Sequence, residues 1–309
     1  MLIAAKRRAI GYLGFKNARF GKIDAHIATC AFSREALKKA TAIAESKGFR
    51  LVHGIVDSMW LVKKDGTIDE YKSLCDEIEG ELDLPISFEG RYKWIVFLNS
   101  RVNPKLPVLN RYYGVFEDGS LKVRGIDLRR HDTPNIVRNC QRAMLTILSE
   151  ANNSSEFTAL IPKALKVMGT YVTMLRSGNV PIEDLILEKR LSKSPGEYSN
   201  RVEQAIAADH LTKEGGSVHG GQSVSYVITD AASRIADNRA IPVELIGERS
   251  HYDIERYVTL LFSSAMNLLL PFGYDLETLR RLNSLDANTI NMRWCSTNNM
   301  GYVEWFRNN

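Results

Sequence analysis

Long apolar runs, closely spaced cysteines, low-complexity tracts and a large excess of either charge are all missing from this 309-residue sequence, and each absence removes a class of protein. No stretch is long and apolar enough to span a bilayer, and the opening Met1-Leu2-Ile3-Ala4-Ala5 reaches Lys6-Arg7-Arg8 too soon for a signal peptide. Cys30, Cys75, Cys140 and Cys295 lie far apart with no C-x-x-C spacing. Neither a zinc site nor a disulfide framework is therefore indicated, and a reducing compartment fits. A soluble, cytoplasmic protein is the expectation. The Gly-rich stretch Gly215-Gly216-Ser217-Val218-His219-Gly220-Gly221 leads into a strand-like run without the Lys-Ser/Thr ending of a phosphate-binding loop, so it is a plain loop. No cluster of acids with histidine at nuclease-like spacing is present: Asp65, Asp69, Asp76 and Glu77 read as turn and helix-surface residues.

What is there describes an ordinary globular chain. The hydrophobic share is 44% and the charged share 25%, enough apolar material for a sizeable core and enough length for two domains. The net charge of +5 favours an anionic partner such as nucleic acid.

Apolar and small residues recur at helical spacing from Asp24 to Lys47 (Ile27, Ala28, Ala31, Phe32, Ala36, Ala40, Ile43, Ala44), and Gly48 follows as a stop. This predicts a helix with one buried face. A hairpin follows, built from Phe49 to Val52 and Met59 to Val62 around His53-Gly54-Ile55-Val56-Asp57-Ser58, then a helix from Ile68 to Leu82. Strands are predicted at Ile86 to Phe88 and Tyr92 to Leu98, and a second hairpin at Tyr112 to Phe116 and Leu121 to Gly125, turning at Glu117-Asp118-Gly119-Ser120. From Thr133 the pattern becomes mainly helical (134–151, 156–177, 181–187, 199–214), with one strand at Ser223 to Ile228. The fold class is α+β: an antiparallel sheet with packed helices, followed by a mainly helical region, with a boundary near residue 130.

Several blocks in order resemble family B DNA polymerases, specifically the second half of the palm and the thumb. Gly11-Tyr12-Leu13-Gly14-Phe15-Lys16-Asn17-Ala18-Arg19-Phe20-Gly21 is similar to the end of the fingers motif, and His53 to Ser58 falls where the family has Tyr-Gly-Asp-Thr-Asp-Ser. Asn110-Arg111-Tyr112-Tyr113-Gly114 stands where the family has a Lys-x-Tyr element that touches primer-template DNA. Gly125-Ile126-Asp127-Leu128-Arg129-Arg130-His131-Asp132 resembles the basic strand leading into the thumb. Later blocks at Val224 to Ile228, Asn238 to Pro242 and Tyr252 to Val258 resemble thumb landmarks. The resemblance implies a partial palm over 1–130, a thumb over 131–280 and a tail of unassigned role over 281–309. The tail's Trp294, Trp305 and Phe306 suit either packing on the body or docking of a partner.

Nucleotidyl transfer in this family needs two Mg²⁺ ions held by carboxylates from separate parts of the palm. The resemblance implies that Asp57 is the retained catalytic and metal-binding acid, while Ile55 and Val56 replace the family's first Asp and its Thr. The first-motif Asp and the fingers Lys have no counterpart here, so the isolated chain is expected not to polymerise DNA. Mg²⁺ would bind only where an N-terminal polymerase chain adds further carboxylates. For Asp57 the plain alternative is a carboxylate bonded to its own turn. Arg111, Tyr112, Arg124, Arg129 and Arg130 are the expected contacts to duplex primer-template DNA, with Arg138 and Arg142 beside them; the alternative is a solvated basic face. Lys189, Arg190, Lys193 and Arg201 suit either role. His53 reads as a packed residue, and Met144, Met168, Met174, Phe262 and Met266 as core. The resemblance thus implies a palm-thumb part acting in DNA synthesis within a split or multi-chain assembly; the alternative is a catalytically inactive DNA-binding or scaffolding subunit. From another class, a metal-dependent nuclease or an unrelated α+β scaffold is the weaker alternative.

Overall fold

The structure is a computed structural model that describes residues 11–55, 58–100, 103, 106–247 and 251–284. The described residues fall into two compact units, 11–94 with 115–120, and 95–114 with 121–284.

In the first unit, helix α1 (Ile23–Ser46) ends where Gly48 turns left-handed at φ 80°. The amides of Gly48 and Phe49 then return to the carbonyls of Glu45 and Ala44 at 3.0 and 3.1 Å. Only a residue without Cβ takes that conformation cheaply, which is why the helix stops there. Strands β1 (Arg50–Ile55) and β2 (Ser58–Val62) pair antiparallel with Ile55 opposite Ser58 and a register shift between Leu51 and His53. Helix α2 (Ile68–Leu82) opens on a capping box: the Glu70 amide donates to Thr67 Oγ1 at 3.3 Å and the Thr67 amide to Glu70 Oε2 at 2.7 Å. Ala40, Ala44, Phe49, Leu74 and Ile78 form the buried cluster that joins these elements, flanked by Met59, Leu61 and Tyr71.

The expected buried face of α1 is realised only at its C-terminal end. Ala40 and Ala44 are buried, whereas Ile23, Ile27 and Phe32 (76% exposed) face solvent, as do Tyr12, Phe15 and Phe20 just before them. Residues 86–88 form no strand: a three-residue alternation without a neighbour to receive its hydrogen bonds does not make a ladder.

Strands β3 (Tyr92–Asn99), β4 (Pro107–Phe116) and β5 (Leu121–Arg124) are hydrogen-bonded in that order. Gly125 follows at φ 66°, and a Cβ there would stand 2.4 Å from the Asn110 carbonyl oxygen. Gly125→Ala is expected to cost about 2 kcal/mol, read as a lower denaturant midpoint at unchanged slope; an unchanged midpoint would contradict this packing.

Helices α3 (Asn135–Leu148), α4 (Ser154–Arg176) and α6 (Ile254–Leu269), with α5 (Glu203–Lys213) and α7 (Leu276–Ser284), make the second unit mainly helical. The α3 stripe Ile136, Val137, Cys140, Met144, Leu145, Leu148 is buried at helical spacing. Met144, Met168 and Phe262 are core as expected and Met266 is half-buried, but Met174 is exposed on the outer side of α4.

The helical expectation for 181–187 is corrected. A short turn at Ile182–Leu185 leads into strand β6 (Leu187–Arg190), which pairs antiparallel with β7 (Ser223–Ile228), and β7 pairs with β8 (Ala240–Pro242). Leu187-Glu188-Lys189-Arg190 carries no strand pattern of its own; the partner imposes it. Tyr257 fastens this sheet to α6, donating from its hydroxyl to the Leu185 carbonyl at 2.7 Å and accepting from the Ile228 amide at 3.1 Å.

Candidate nucleic-acid interface and metal hairpin

The β1–β2 hairpin carries the block from His53 to Ser58. His53 is 7% exposed and its ring lies 5.0 Å from that of Trp60, its cross-strand neighbour, so it is a packed residue. Val56 and Asp57, which link the paired Ile55 and Ser58, lie outside the described residues, as do Trp294, Trp305 and Phe306. Among the described residues no group of three His, Cys, Asp or Glu side chains could hold a metal. The described side chains therefore do not fit a two-Mg²⁺ site on their own, and a lone Asp57 would leave most of the oxygen ligands to be supplied from elsewhere. Cys140 is buried, and burial pushes its thiol up to about 12, which makes it an inert core residue.

The expected DNA contacts have different surroundings. Arg111 donates from Nε to the Gly125 carbonyl at 3.1 Å and from its terminal nitrogen to Asn267 Oδ1 at 3.1 Å. Tyr112 is 2% exposed and packs against Phe97, ring centroids 5.8 Å apart, so in this structure it is a core residue and not a surface contact. Strand β4 is covered on both faces from Tyr112 to Val115, so the ring lies inside like that of Tyr113. Arg124 is half-buried on β5 and Arg129 exposed; neither has an ion pair among the described residues. Arg130 is held in a fork by Asp132, at 2.9 and 2.7 Å. The guanidinium keeps the Asp132 carboxyl below the usual carboxylate range.

Behind these arginines lies a polar network that the sequence did not reveal. Gln141, 0% exposed, accepts from the Leu128 amide at 2.7 Å and donates to Asp127 Oδ2 at 3.4 Å and to the Ser264 carbonyl at 3.1 Å. Asn267 donates to the same Asp127 oxygen at 2.7 Å. Arg111, Asn267, Asp127 and Gln141 thus form one chain of hydrogen bonds that fixes the basic segment to α3 and α6. A glutamine in the middle of the otherwise apolar α3 stripe was the available signal, since a buried amide must find partners.

Of the other basic residues, Arg201 pairs with Asp209 and with Asp237 at 2.7 Å, and Lys213 joins Asp237 at 2.5 Å. That favours a surface ion-pair cluster for Arg201. Arg190 donates to the Gly221 carbonyl at 2.7 Å, while Lys189 has no ion pair among the described residues.

The fold is thus mixed α and β, with small antiparallel sheets and many helices, and it carries a basic segment at 124–130 braced from behind. Residues 11–272 match the family model for DNA polymerase family B, and the chain belongs to that family. It is 29% identical over 296 residues to a DNA polymerase of Archaeoglobus fulgidus, covering 90% of this chain and 36% of that one. With DNA polymerase 3 of Saccharolobus solfataricus it shares 25% identity over 275 residues, covering 89% and 34%. The solved family B DNA polymerase of the archaeon Pyrobaculum calidifontis has the same fold over 84% of this chain and 31% of that one, with a TM-score of 0.55 at 24% identity. The chain spans roughly a third of the length of these relatives. Among the described residues no single helix is long and apolar enough to cross a membrane.

Proposed function

We propose that this chain is the palm-and-thumb part of a family B DNA polymerase, that it grips primer-template duplex, and that it contributes to DNA synthesis together with a polypeptide supplying the rest of the polymerase. The observation that carries this is the match to the DNA polymerase family B model across residues 11–272. The exposed apolar residues from Tyr12 to Phe32 support a second polypeptide surface. In this reading residues 1–130 belong to the palm and 131–280 to the thumb, and the protein works in the cytoplasm.

Arg124 and Arg129 are the foremost proposed phosphate contacts, with Arg130 and Arg111 held in place by Asp132 and Asn267. Such contacts position a duplex without reading its sequence. Mg²⁺ enters through Asp57 only when the second polypeptide brings further carboxylates. Duplex binding should weaken steeply with salt, with a slope of about 0.9 per phosphate neutralised, and Arg124→Ala or Arg129→Ala should each reduce that slope by about 1. No duplex binding at low salt, with or without the remaining polymerase portion, would overturn the proposal.

A second reading, a catalytically inactive DNA-binding or scaffolding subunit, is favoured by Ile55 and Val56. Apolar side chains beside a metal site raise the cost of placing charge there.

A further inference from the structure

Helix α6 buries an apolar stripe of Val258, Leu261, Ala265 and Leu268, and beside it Asn267 is only 9% exposed. A buried side-chain amide costs stability unless its donor and its acceptor are both used. Both are used here. Oδ1 accepts from a terminal nitrogen of Arg111 at 3.1 Å, and the amide nitrogen donates to Asp127 Oδ2 at 2.7 Å.

The amide can be seated in one sense only. A guanidinium donates and never accepts, whereas a carboxylate accepts, so Asp127 fixes which end of Asn267 meets Arg111. Asp127 is itself anchored by the Gln141 amide at 3.4 Å. Arg111, half-buried on β4, also donates from Nε to the Gly125 carbonyl at 3.1 Å. Two residues further along the strand, the Tyr113 hydroxyl donates at 2.7 Å to the carbonyl of Leu268, the neighbour of Asn267. Alternate residues of a strand point the same way, so residues 111 and 113 reach consecutive residues of α6. A long side chain with much rotamer freedom is thereby held before any ligand arrives.

We infer that Asn267 is a positioning residue for duplex binding: its amide, set by Asp127, holds the Arg111 guanidinium ready for a backbone phosphate, so that little ordering is left to occur on binding. The inference rests on the duplex grip proposed above and gives a part in it to a residue that itself touches no DNA.

The test uses the full chain and a short labelled duplex of arbitrary sequence, with affinity read by fluorescence anisotropy at low salt and well below the melting temperature of each variant. Arg111→Ala should weaken binding and lower the salt slope by about 1. Asn267→Leu should weaken binding about fivefold, the cost of ordering one long side chain. It should have no further effect in the Arg111→Ala background, because it acts through that guanidinium. Asn267→Gln, which keeps the amide, should recover most of the affinity. Asn267→Ser serves if Asn267→Leu does not fold, with the same loss expected. An Asn267→Leu chain that binds as tightly as the native one, or a loss that persists undiminished without Arg111, would overturn the inference and leave Asn267 a packing role. Duplex binding indifferent to Arg111→Ala overturns this inference alone and leaves the contacts of Arg124 and Arg129 standing. No duplex binding by the native chain, with or without the remaining polymerase portion, overturns both.

Discussion

Primer extension by this chain together with the remaining polymerase portion is expected to fall about a thousandfold on Asp57→Ala, and the chain alone should extend nothing. The reasoning is one of ligand supply. Metal-assisted phosphoryl transfer draws several kcal/mol of charge stabilisation from the bound ions, and a loss of about 4 kcal/mol corresponds to about three decades in rate. In the block from His53 to Ser58 only Asp57 carries a carboxylate, and the packed His53 does not stand in for a second. A labelled primer-template with Mg²⁺ and dNTPs measures this directly. Extension that survives Asp57→Ala would remove the hairpin from the chemistry. Duplex binding without extension in every combination would favour the scaffolding reading, which restoring Asp at 55 and Thr at 56 then probes.

The second large effect concerns stability. Gln141→Glu should destabilise the second unit by about 3–5 kcal/mol at neutral pH, because it sets an uncompensated charge in a fully buried site next to Asp127. The sign with pH follows from linkage. The new carboxyl would have its folded pKa raised above the unfolded value, so the penalty is absent below the unfolded pKa and grows as pH rises toward the folded one. Melting curves from pH 4 to 8 should therefore converge with the native protein at the acid end. Gln141→Leu, which leaves the Leu128 amide without its acceptor, should cost about 2–3 kcal/mol with little of that pH dependence. A Gln141→Glu variant as stable as the native chain at pH 7 would mean that the Asp127 network is not closed to water.

Helix α2 and strand β7 fall where the sequence predicts them, because each has local instructions: Thr67 and Glu70 at the start of one, and an alternating Ser223 to Ile228 run in the other. Strands β6 and β8 were not legible. Three charged residues in four and a three-residue edge acquire strand geometry only from β7 between them. The outward turn of Ile27 and Phe32 was also hidden, since helical spacing shows which residues share a face but not whether anything covers it. Asp57 stands out in the sequence as a lone carboxylate at the hairpin tip, and a catalytic role for it rests on the family resemblance alone.

The hydroxyl of Tyr113 donates to the Leu268 carbonyl at 2.7 Å across 155 residues of chain, whereas the core of the first unit is assembled from residues 40–86. During synthesis the α1–hairpin–α2 core has all its material soon after residue 86 leaves the ribosome. The Leu268 carbonyl that accepts from Tyr113 is made only when nearly the whole described chain has been synthesised. Closing a loop of that length is slow relative to local contacts, so the second unit is the late step of folding and the part most exposed to chaperones and proteases while the chain is being made.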